Sequence, residues 1–142
     1  MSRIVKDFKK NQTIRDLALD LTSYLPQKDY VAEIRALFEF VRDRIRYIKD
    51  IRDVETLQWP TKTLDIEQGD CDDKAMLLAS LLEATGKRTR FVAIGFGPPG
   101  EFQHVFTDVK IGNRGWLSLD PTENVKVGWQ PKGFTTWMIQ DN

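Results

Sequence analysis

The sequence has little of the side chains that usually build crosslinks or metal centres. Its 142 residues include one cysteine, Cys71, and one histidine, His104. A single thiol excludes an intramolecular disulfide and a cysteine-cluster metal site, and a single imidazole excludes most zinc sites. We therefore expect no cofactor and no metal ion, and any chemistry must use very few special residues.

An acidic run around the cysteine invites comparison with a calcium-binding loop. Such a loop needs an oxygen ligand at its fifth position and glycine at its sixth. Counted from Asp70, these positions hold Lys74 and Ala75. The pattern excludes a calcium loop of this type, and leaves open only a looser metal site at the acidic cluster of Asp70, Asp72 and Asp73.

An excess of charge and a long apolar run are also missing. The chain has 21 Lys and Arg against 21 Asp and Glu. A protein that binds nucleic acid or a membrane surface would carry a basic excess, so we expect neither partner. No apolar run approaches the roughly 20 residues that span a bilayer, and the N-terminal segment lacks the apolar core of a signal peptide. These absences predict a cytoplasmic protein.

The first half of the chain shows helical spacing of apolar residues. Thr13 is predicted to cap one helix, with Asp16 in the place of the capping-box glutamate, and a second helix is predicted to begin near Asp29. The apolar stripes predict core-facing sides, with partner binding as the alternative. The stripes contain Ile14, Leu17, Ala18 and Leu21 in the first helix, and Ile34, Leu37, Phe38, Val41, Ile45 and Ile48 in the second.

In the second half of the chain, the spacing of apolar residues changes. Residues 51–70 show no sustained pattern, which predicts an irregular connection. A central helix follows, apolar nearly all round over residues 75–82, and Gly86 is its expected stop. Short runs at residues 90–95, 102–111, 116–120 and 134–139 predict antiparallel strands. The expected fold class is α+β over one domain, residues 1–142, with a helical part at about 1–50 and a core at about 51–142.

Cys71 stands at the predicted start of the central helix. The positive end of the helix dipole favours a thiolate, which is the form of cysteine that attacks carbonyl carbon. The alternative is a small buried hydrophobic residue. The polar helix start and the preceding Gly69, which permits close backbone approach, favour the nucleophile.

His104 and Asp120 lie on two predicted neighbouring strands. Because side chains alternate, they share a face only if the numbers of paired residues add up to an even total. Pairing Phe106 with Asp120 meets this condition and leaves His104 one diagonal step away. This register requires an odd loop or a bulge near residues 112–115. The hypothesis then gives Cys71 as nucleophile, His104 as base and Asp120 as orienting acid. A satisfied half-buried histidine and a strand-end carboxylate are the alternatives.

A covalent mechanism at Cys71 also needs donors for the developing oxyanion. The backbone N–H of Cys71 can supply one, joined by a side chain from the segment before the helix. Gln58 and Trp59 are the candidates, with Gln58 preferred because an amide is the stronger donor. Simple packing of both residues is the alternative.

Taken together, these motifs resemble the transglutaminase-like cysteine protease superfamily. The resemblance covers residues 38–124, and the short form is similar to versions encoded by bacteriophages and prophages. The matching motifs are Val41-Arg-Asp-Arg-Ile-Arg-Tyr47, Leu57-Gln58-Trp59-Pro60, Thr63-Leu64, Gly69-Asp70-Cys71-Asp72-Asp73, Arg90-Phe91-Val92, His104-Val105-Phe106 and Asp120-Pro121-Thr122.

The resemblance implies a papain-like fold and amide chemistry through a thioester. It maps the nucleophile to Cys71, the base to His104 and the orienting acid to Asp120. Members hydrolyse peptide bonds or transfer glutamine acyl groups to amines, and some have lost activity. The chain lacks the extra domains and calcium sites of animal transglutaminases, and it is short between Cys71 and His104. We therefore expect hydrolysis of a peptide or isopeptide bond, with a peptide or protein as substrate.

A second function stays open beside hydrolysis. Aromatic residues in the tail, Trp129, Phe134 and Trp137, favour a non-enzymatic phage morphogenesis or peptide-binding module with a phage structural protein as partner. The alternative for these side chains is packing against the sheet edge. The location implied by the resemblance is the cytoplasm of a bacterium or of a phage-infected host cell.

Overall fold

A computed structural model of the chain describes residues 1–49 and 57–142. The described residues form five helices and six strands: all five helices and two short strands come first, and the other four strands follow. The helices are α1 (Ser2–Phe8), α2 (Gln12–Thr22), α3 (Tyr30–Arg44), α4 (Pro60–Ile66) and α5 (Cys71–Ala84). The strands are β1 (Arg46–Tyr47), β2 (Gln68–Gly69), β3 (Thr89–Gly95), β4 (His104–Lys110), β5 (Trp116–Leu119) and β6 (Thr136–Asp141).

The helix starts confirm one predicted cap and correct the other. Asp29 caps α3, accepting from the backbone N–H of Ala32 at 3.1 Å. For α2 the prediction of Thr13 was wrong, because Asn11 is the cap and accepts from the N–H of Ile14 at 3.2 Å. The helix therefore begins earlier, since asparagine is at least as good a cap as threonine.

The end of α3 also differs from the expected stripe. The backbone becomes extended at Ile45. Ile45 is still buried, but Ile48 lies beyond the helix and is 39% exposed. The helical stripe therefore ends at Val41, and the chain continues into β1.

The predicted irregular connection contains two short elements. Within it, α4 begins at Pro60, a residue suited to the first turn of a helix. β2 then pairs in parallel with β1, Tyr47 opposite Gly69. Residues 51–56 of that connection lie outside the described residues. The parallel pair joins the end of α3 to the segment that precedes Cys71.

Helix α5 is the centre of the core, as its all-round apolar composition predicts. Its side chains from Asp73 to Leu82 are buried. One side packs on α2 and α3, and the other packs on α1 and the sheet. The helix ends at Ala84, and Gly86 follows with a positive φ of 84°, so the predicted stop is confirmed.

The main sheet has four antiparallel strands in the order β5-β4-β3-β6. Thr107 of β4 pairs with Leu119 of β5, and Lys110 pairs with Trp116. This register is the one that the proximity of His104 and Asp120 requires, and the five-residue connection between Lys110 and Trp116 has the odd length that it needs. The α+β class is confirmed, with the small parallel pair β1–β2 as the departure.

Candidate active site

The start of α5 places Cys71 in the first turn of a 14-residue helix. Asp70 accepts from the backbone N–H of Asp73 at 2.9 Å, and Asp73 accepts from the N–H of Asp70 at 3.1 Å. This reciprocal capping box fixes the direction in which the cysteine leaves the backbone. The half-buried thiol therefore sits at the positive end of the helix dipole.

Gly69 is required by close packing at this helix start. A Cβ atom at position 69 would lie 2.7 Å from Cβ of Asp73. Contacts this short do not occur between real side chains, so a larger residue would push the capping box apart. The expectation that Gly69 permits close backbone approach is confirmed.

His104 and Asp120 form a hydrogen-bonded pair at one end of the sheet. Continuing the β4–β5 register puts Asp120 level with Phe106, and His104 is its diagonal neighbour. Nε2 of His104 lies 2.7 Å from Oδ2 of Asp120, which is fully buried. The other oxygen of Asp120 accepts from the backbone N–H of Thr122 at 3.1 Å and from its hydroxyl at 2.6 Å. Both carboxylate oxygens are thus held in place.

Cys71 completes this arrangement because its sulfur hydrogen-bonds to the His104 ring. Burial opposes protonation of the imidazole, but the hydrogen bonds and negative charges of Asp120 and Cys71 outweigh it and raise the pKa of His104 to about 10. A cationic ring favours the thiolate beside it. With Nε2 directed at Asp120, Nδ1 is the nitrogen left for sulfur. The site therefore brings together a thiol, an imidazole and a buried carboxylate.

We expect the His104 ring to remain protonated well above neutral pH. Nuclear magnetic resonance of the isotope-labelled ring, which gives one histidine signal set, should show a midpoint near 10 in the wild type. Asp120→Ala removes the counter-charge while burial persists, so its midpoint should fall by more than one unit. Because the folded pKa exceeds the unfolded value of about 6.5, the stabilisation by His104 is complete below that pH and is lost as the pH rises through about 10. A wild-type midpoint near 6.5 would contradict the arrangement.

The two residues expected to assist the oxyanion lie in different surroundings. Gln58 hydrogen-bonds to the helix start through both its backbone and its side chain. Its backbone N–H donates to Oδ1 of Asp73 at 2.9 Å. Its side-chain amide donates to Oδ2 of Asp73 at 3.2 Å and to the carbonyl of Gln68 at 3.1 Å. An oxyanion contact from this amide would replace one of these bonds. Trp59 directly precedes α4, is 57% exposed, and packs against the Phe8 ring at a tilt of 31°. The oxyanion role of both residues stays a prediction.

Two charged residues next to Cys71 on α5 are buried, which the sequence analysis did not predict. Burial raises the pKa of Asp73 to about 6 against the hydrogen bonds it receives from Gln58 and Asp70. Lys74, the next residue, is 1% exposed. The signal that could have found Lys74 was its position directly before the apolar stretch of the central helix, where a solvated lysine does not fit.

Tyr47 is a third residue near the site that sequence reasoning did not single out. Burial raises the pKa of its phenol, and the nearby negative charges of Cys71, Asp70 and Asp120 add to the effect. The β1–β2 pairing explains this placement, since Tyr47 lies opposite Gly69. No local sequence pattern predicts that Tyr47 lies next to the start of α5.

Comparison with known proteins agrees with this fold and arrangement. A family model for the transglutaminase-like superfamily matches residues 15–121, about three quarters of the chain. The chain therefore belongs to the transglutaminase-like superfamily, a family of cysteine-based hydrolases and acyltransferases. A search of curated proteins found no match.

Solved structures extend the likeness at the level of the fold. A candidate cysteine protease from Cytophaga hutchinsonii has a TM-score of 0.62 at 18% identity, covering 92% of this chain and 46% of its own. A candidate protease from Parabacteroides distasonis has a TM-score of 0.65 at 15% identity, and the match covers 87% of this chain and 26% of the protease. The periplasmic domain of TgpA from Pseudomonas aeruginosa has a TM-score of 0.59 at 23% identity, and the match covers 86% of this chain and 48% of that domain. The chain spans less than half of each of these three structures.

Two features are absent from the described residues, 1–49 and 57–142. None of the helices there has the length and apolar composition needed to cross a membrane. In the same range no three His, Cys, Asp or Glu side chains are grouped so that they could hold a metal ion.

Proposed function

We propose that the chain is a cysteine hydrolase that cleaves a peptide or isopeptide amide bond through a thioester. The observation that carries the proposal is the continuous hydrogen-bonded line from Cys71 through His104 to buried Asp120. Membership of the transglutaminase-like superfamily supports the same chemistry. Peptide or protein is the substrate class that this family chemistry implies.

The proposed mechanism uses the three side chains in sequence. His104 holds the proton taken from the Cys71 thiol, and the thiolate attacks the carbonyl carbon of the substrate. The imidazolium then gives its proton to the leaving amine as the carbon–nitrogen bond breaks, which leaves a thioester on Cys71. Water activated by neutral His104 hydrolyses the thioester and restores the thiol. Asp120 keeps the ring in the required orientation and tautomer throughout.

The pH dependence of Cys71 alkylation by iodoacetamide tests this proposal. We expect wild-type labelling to stay fast well below pH 8, because the imidazolium of His104 stabilises the thiolate. His104→Ala should label slowly below pH 8, because the cation beside the sulfur is gone. Since the sequence has one cysteine, Cys71→Ala gives the unlabelled baseline by mass spectrometry.

Slow labelling that follows an ordinary thiol in both proteins would overturn the proposal. Acyl transfer is separated from hydrolysis by adding a primary amine to the acylated enzyme. An amine adduct that forms faster than free acid would favour transfer, and free acid would favour hydrolysis.

A cavity beside the sheet favours a peptide-binding module as the second candidate function. It has a volume of about 430 Å³ and is lined in part by Phe134 and Trp137, and Trp137 is 62% exposed. Exposed aromatic side chains commonly anchor interfaces, and the phage-encoded relatives suggested by the sequence would supply a structural protein as partner. Binding that is lost in Trp137→Ala and retained in Cys71→Ala would favour this candidate.

A further inference from the structure

Asp73 connects the start of α5 to the segment before α4. It lies two residues after Cys71 and is 4% exposed. Its Oδ1 accepts from the backbone N–H of Gln58 at 2.9 Å. Its Oδ2 accepts from the side-chain amide of Gln58 at 3.2 Å and from the backbone N–H of Asp70 at 3.1 Å. One buried carboxylate therefore holds both the helix cap beside the thiol and the segment that contains Gln58.

The helix cap alone does not account for this carboxylate. A capping box needs one acceptor on the side chain at this position, and the bond from the N–H of Asp70 supplies it. Burying an ionised carboxylate is costly unless hydrogen bonds or charges compensate. The other two bonds both come from Gln58, which lies 15 residues earlier in the chain. The buried carboxylate of Asp73 is therefore stabilised by a different segment, and that segment is held in return.

The side chain of Gln58 is committed to holding its own segment. An amide nitrogen carries two hydrogens, and Nε2 of Gln58 lies near three acceptors. These are Oδ2 of Asp73 at 3.2 Å, the carbonyl of Gln68 at 3.1 Å and the buried hydroxyl of Thr63 at 3.3 Å. The bonds reach α5, β2 and α4. Trp59, the next residue, is thereby fixed at the start of α4, a helix that packs against α5.

We propose that Asp73 is a positioning residue for acylation, because its carboxylate fixes residues 57–59 to the start of α5. This inference rests on the proposed function. When the thiolate of Cys71 attacks a carbonyl carbon, negative charge develops on the oxygen and needs a hydrogen-bond donor. Residues 57–59 contain both candidate donor side chains, those of Gln58 and Trp59. Without the carboxylate, the segment loses two bonds to α5, and the donor no longer keeps its place relative to the thiol.

Two reactions of Cys71 separate this role from a general effect on the thiol. Acetylation by p-nitrophenyl acetate forms the carbon–sulfur bond at a carbonyl and releases p-nitrophenolate, so it needs an oxyanion donor. Alkylation by iodoacetamide forms the carbon–sulfur bond at a methylene carbon and releases iodide, and no oxyanion develops. Both reactions consume the thiolate, so the ratio of their rates cancels any change in its amount. At pH 8 the Asp73 carboxyl, with a pKa of about 6, is ionised.

Asp73→Asn should lower the ratio of acetylation to alkylation at pH 8 by about 10- to 100-fold, somewhat less than the loss of a whole oxyanion donor. Asparagine has nearly the same size as aspartate. Its NH₂ group would, however, face one of the N–H donors from which the carboxylate now accepts. Should Asp73→Asn fail to fold, Asp73→Ser removes the buried charge together with the bonds to Gln58 and gives the same comparison.

Asp108→Asn is the matched control for the loss of a buried carboxylate. Asp108 is also 4% exposed, and it accepts from Arg90 and Ser118 within the sheet. It shares no hydrogen-bond partner with Asp73, so Asp108→Asn should keep the ratio within about threefold of wild type.

Hydrogen exchange at the backbone amide of Gln58, followed by nuclear magnetic resonance, tests the connection without any catalysis. This amide donates to Oδ1 of Asp73. Its exchange should be about tenfold faster in Asp73→Asn than in wild type, the size expected from losing a hydrogen bond to a charged group. Asp108→Asn should leave it unchanged.

An unchanged ratio in the Asp73 variant, or an equal fall in Asp108→Asn, would overturn the inference. Equal losses of acetylation and alkylation would do the same, since they indicate general disruption. A wild-type thiol that is not acetylated would instead refute the proposed function. In that case, faster exchange at Gln58 in the Asp73 variant would leave the connection between Asp73 and residues 57–59 standing.

Discussion

We expect Asp120→Asn to slow acylation of Cys71 by about 10²- to 10⁴-fold, the range that one positioned acid–base group contributes. An asparagine amide has one acceptor and one donor end. If its oxygen faces His104, its NH₂ group meets the backbone N–H of Thr122, which now donates to Oδ1 of Asp120 at 3.1 Å. If it is reversed, the NH₂ group faces Nε2 of His104 and favours the wrong ring tautomer. Neither orientation replaces the carboxylate.

Acetylation of Cys71 by p-nitrophenyl acetate, followed by mass spectrometry, measures this loss without knowledge of the natural substrate. Asp108→Asn is the matched control, because Asp108 is another buried carboxylate of the same strand pair. It bonds Arg90 at 2.9 Å and Ser118 at 2.9 Å and is not part of the site. The control should acetylate within threefold of wild type. Wild-type acetylation in Asp120→Asn, or an equal loss in the control, would show that Asp120 does not orient the base.

Periodicity and alternation predicted the parts of the site that depend on local rules. The apolar pattern of α5 identified the central helix with Cys71 at its start. Side-chain parity then required paired positions of β4 and β5 to add up to an even number, and the observed pairing of Thr107 with Leu119 meets this condition. These predictions hold because a helix stripe and a strand face are set by neighbours in sequence.

Other features depend on distant parts of the chain and had no local signal. Helix α1 has seven residues, and Val5 is the residue it buries, against α5. Such a short helix forms through tertiary packing rather than propensity. Lys74 is buried because the carbonyl of Ile45, 29 residues earlier, accepts from it. The N-cap of α2 is Asn11 and not Thr13. Asparagine and threonine are both favoured N-cap residues and stand two positions apart here, so the sequence alone does not decide between them.

Gly95→Ala should be among the most destabilising single substitutions in the sheet. A Cβ atom at position 95 would lie 1.8 Å from the backbone carbonyl oxygen of Glu101 and 2.9 Å from Cγ2 of Thr136. A carbonyl of the main chain cannot rotate away as a side chain does, so the segment before β4 must shift. Overpacking of this kind costs about 3 kcal/mol. The shift also reaches Gln103, whose N–H donates to Ile94 at 2.9 Å directly before His104.

Urea unfolding of Gly95→Ala and Gly97→Ala provides the measurement and its control. Gly97 follows two residues later, and a Cβ atom there would meet nothing within 4 Å. Gly97→Ala should therefore change the free energy of unfolding by less than about 0.5 kcal/mol, whereas Gly95→Ala should lower it by about 3 kcal/mol and also weaken alkylation of Cys71 below pH 8. If both variants unfold at the wild-type urea midpoint, the position of the segment from Glu101 to His104 does not depend on the absence of a side chain at Gly95. The base would then be held by its bonds to Asp120 and Cys71 alone.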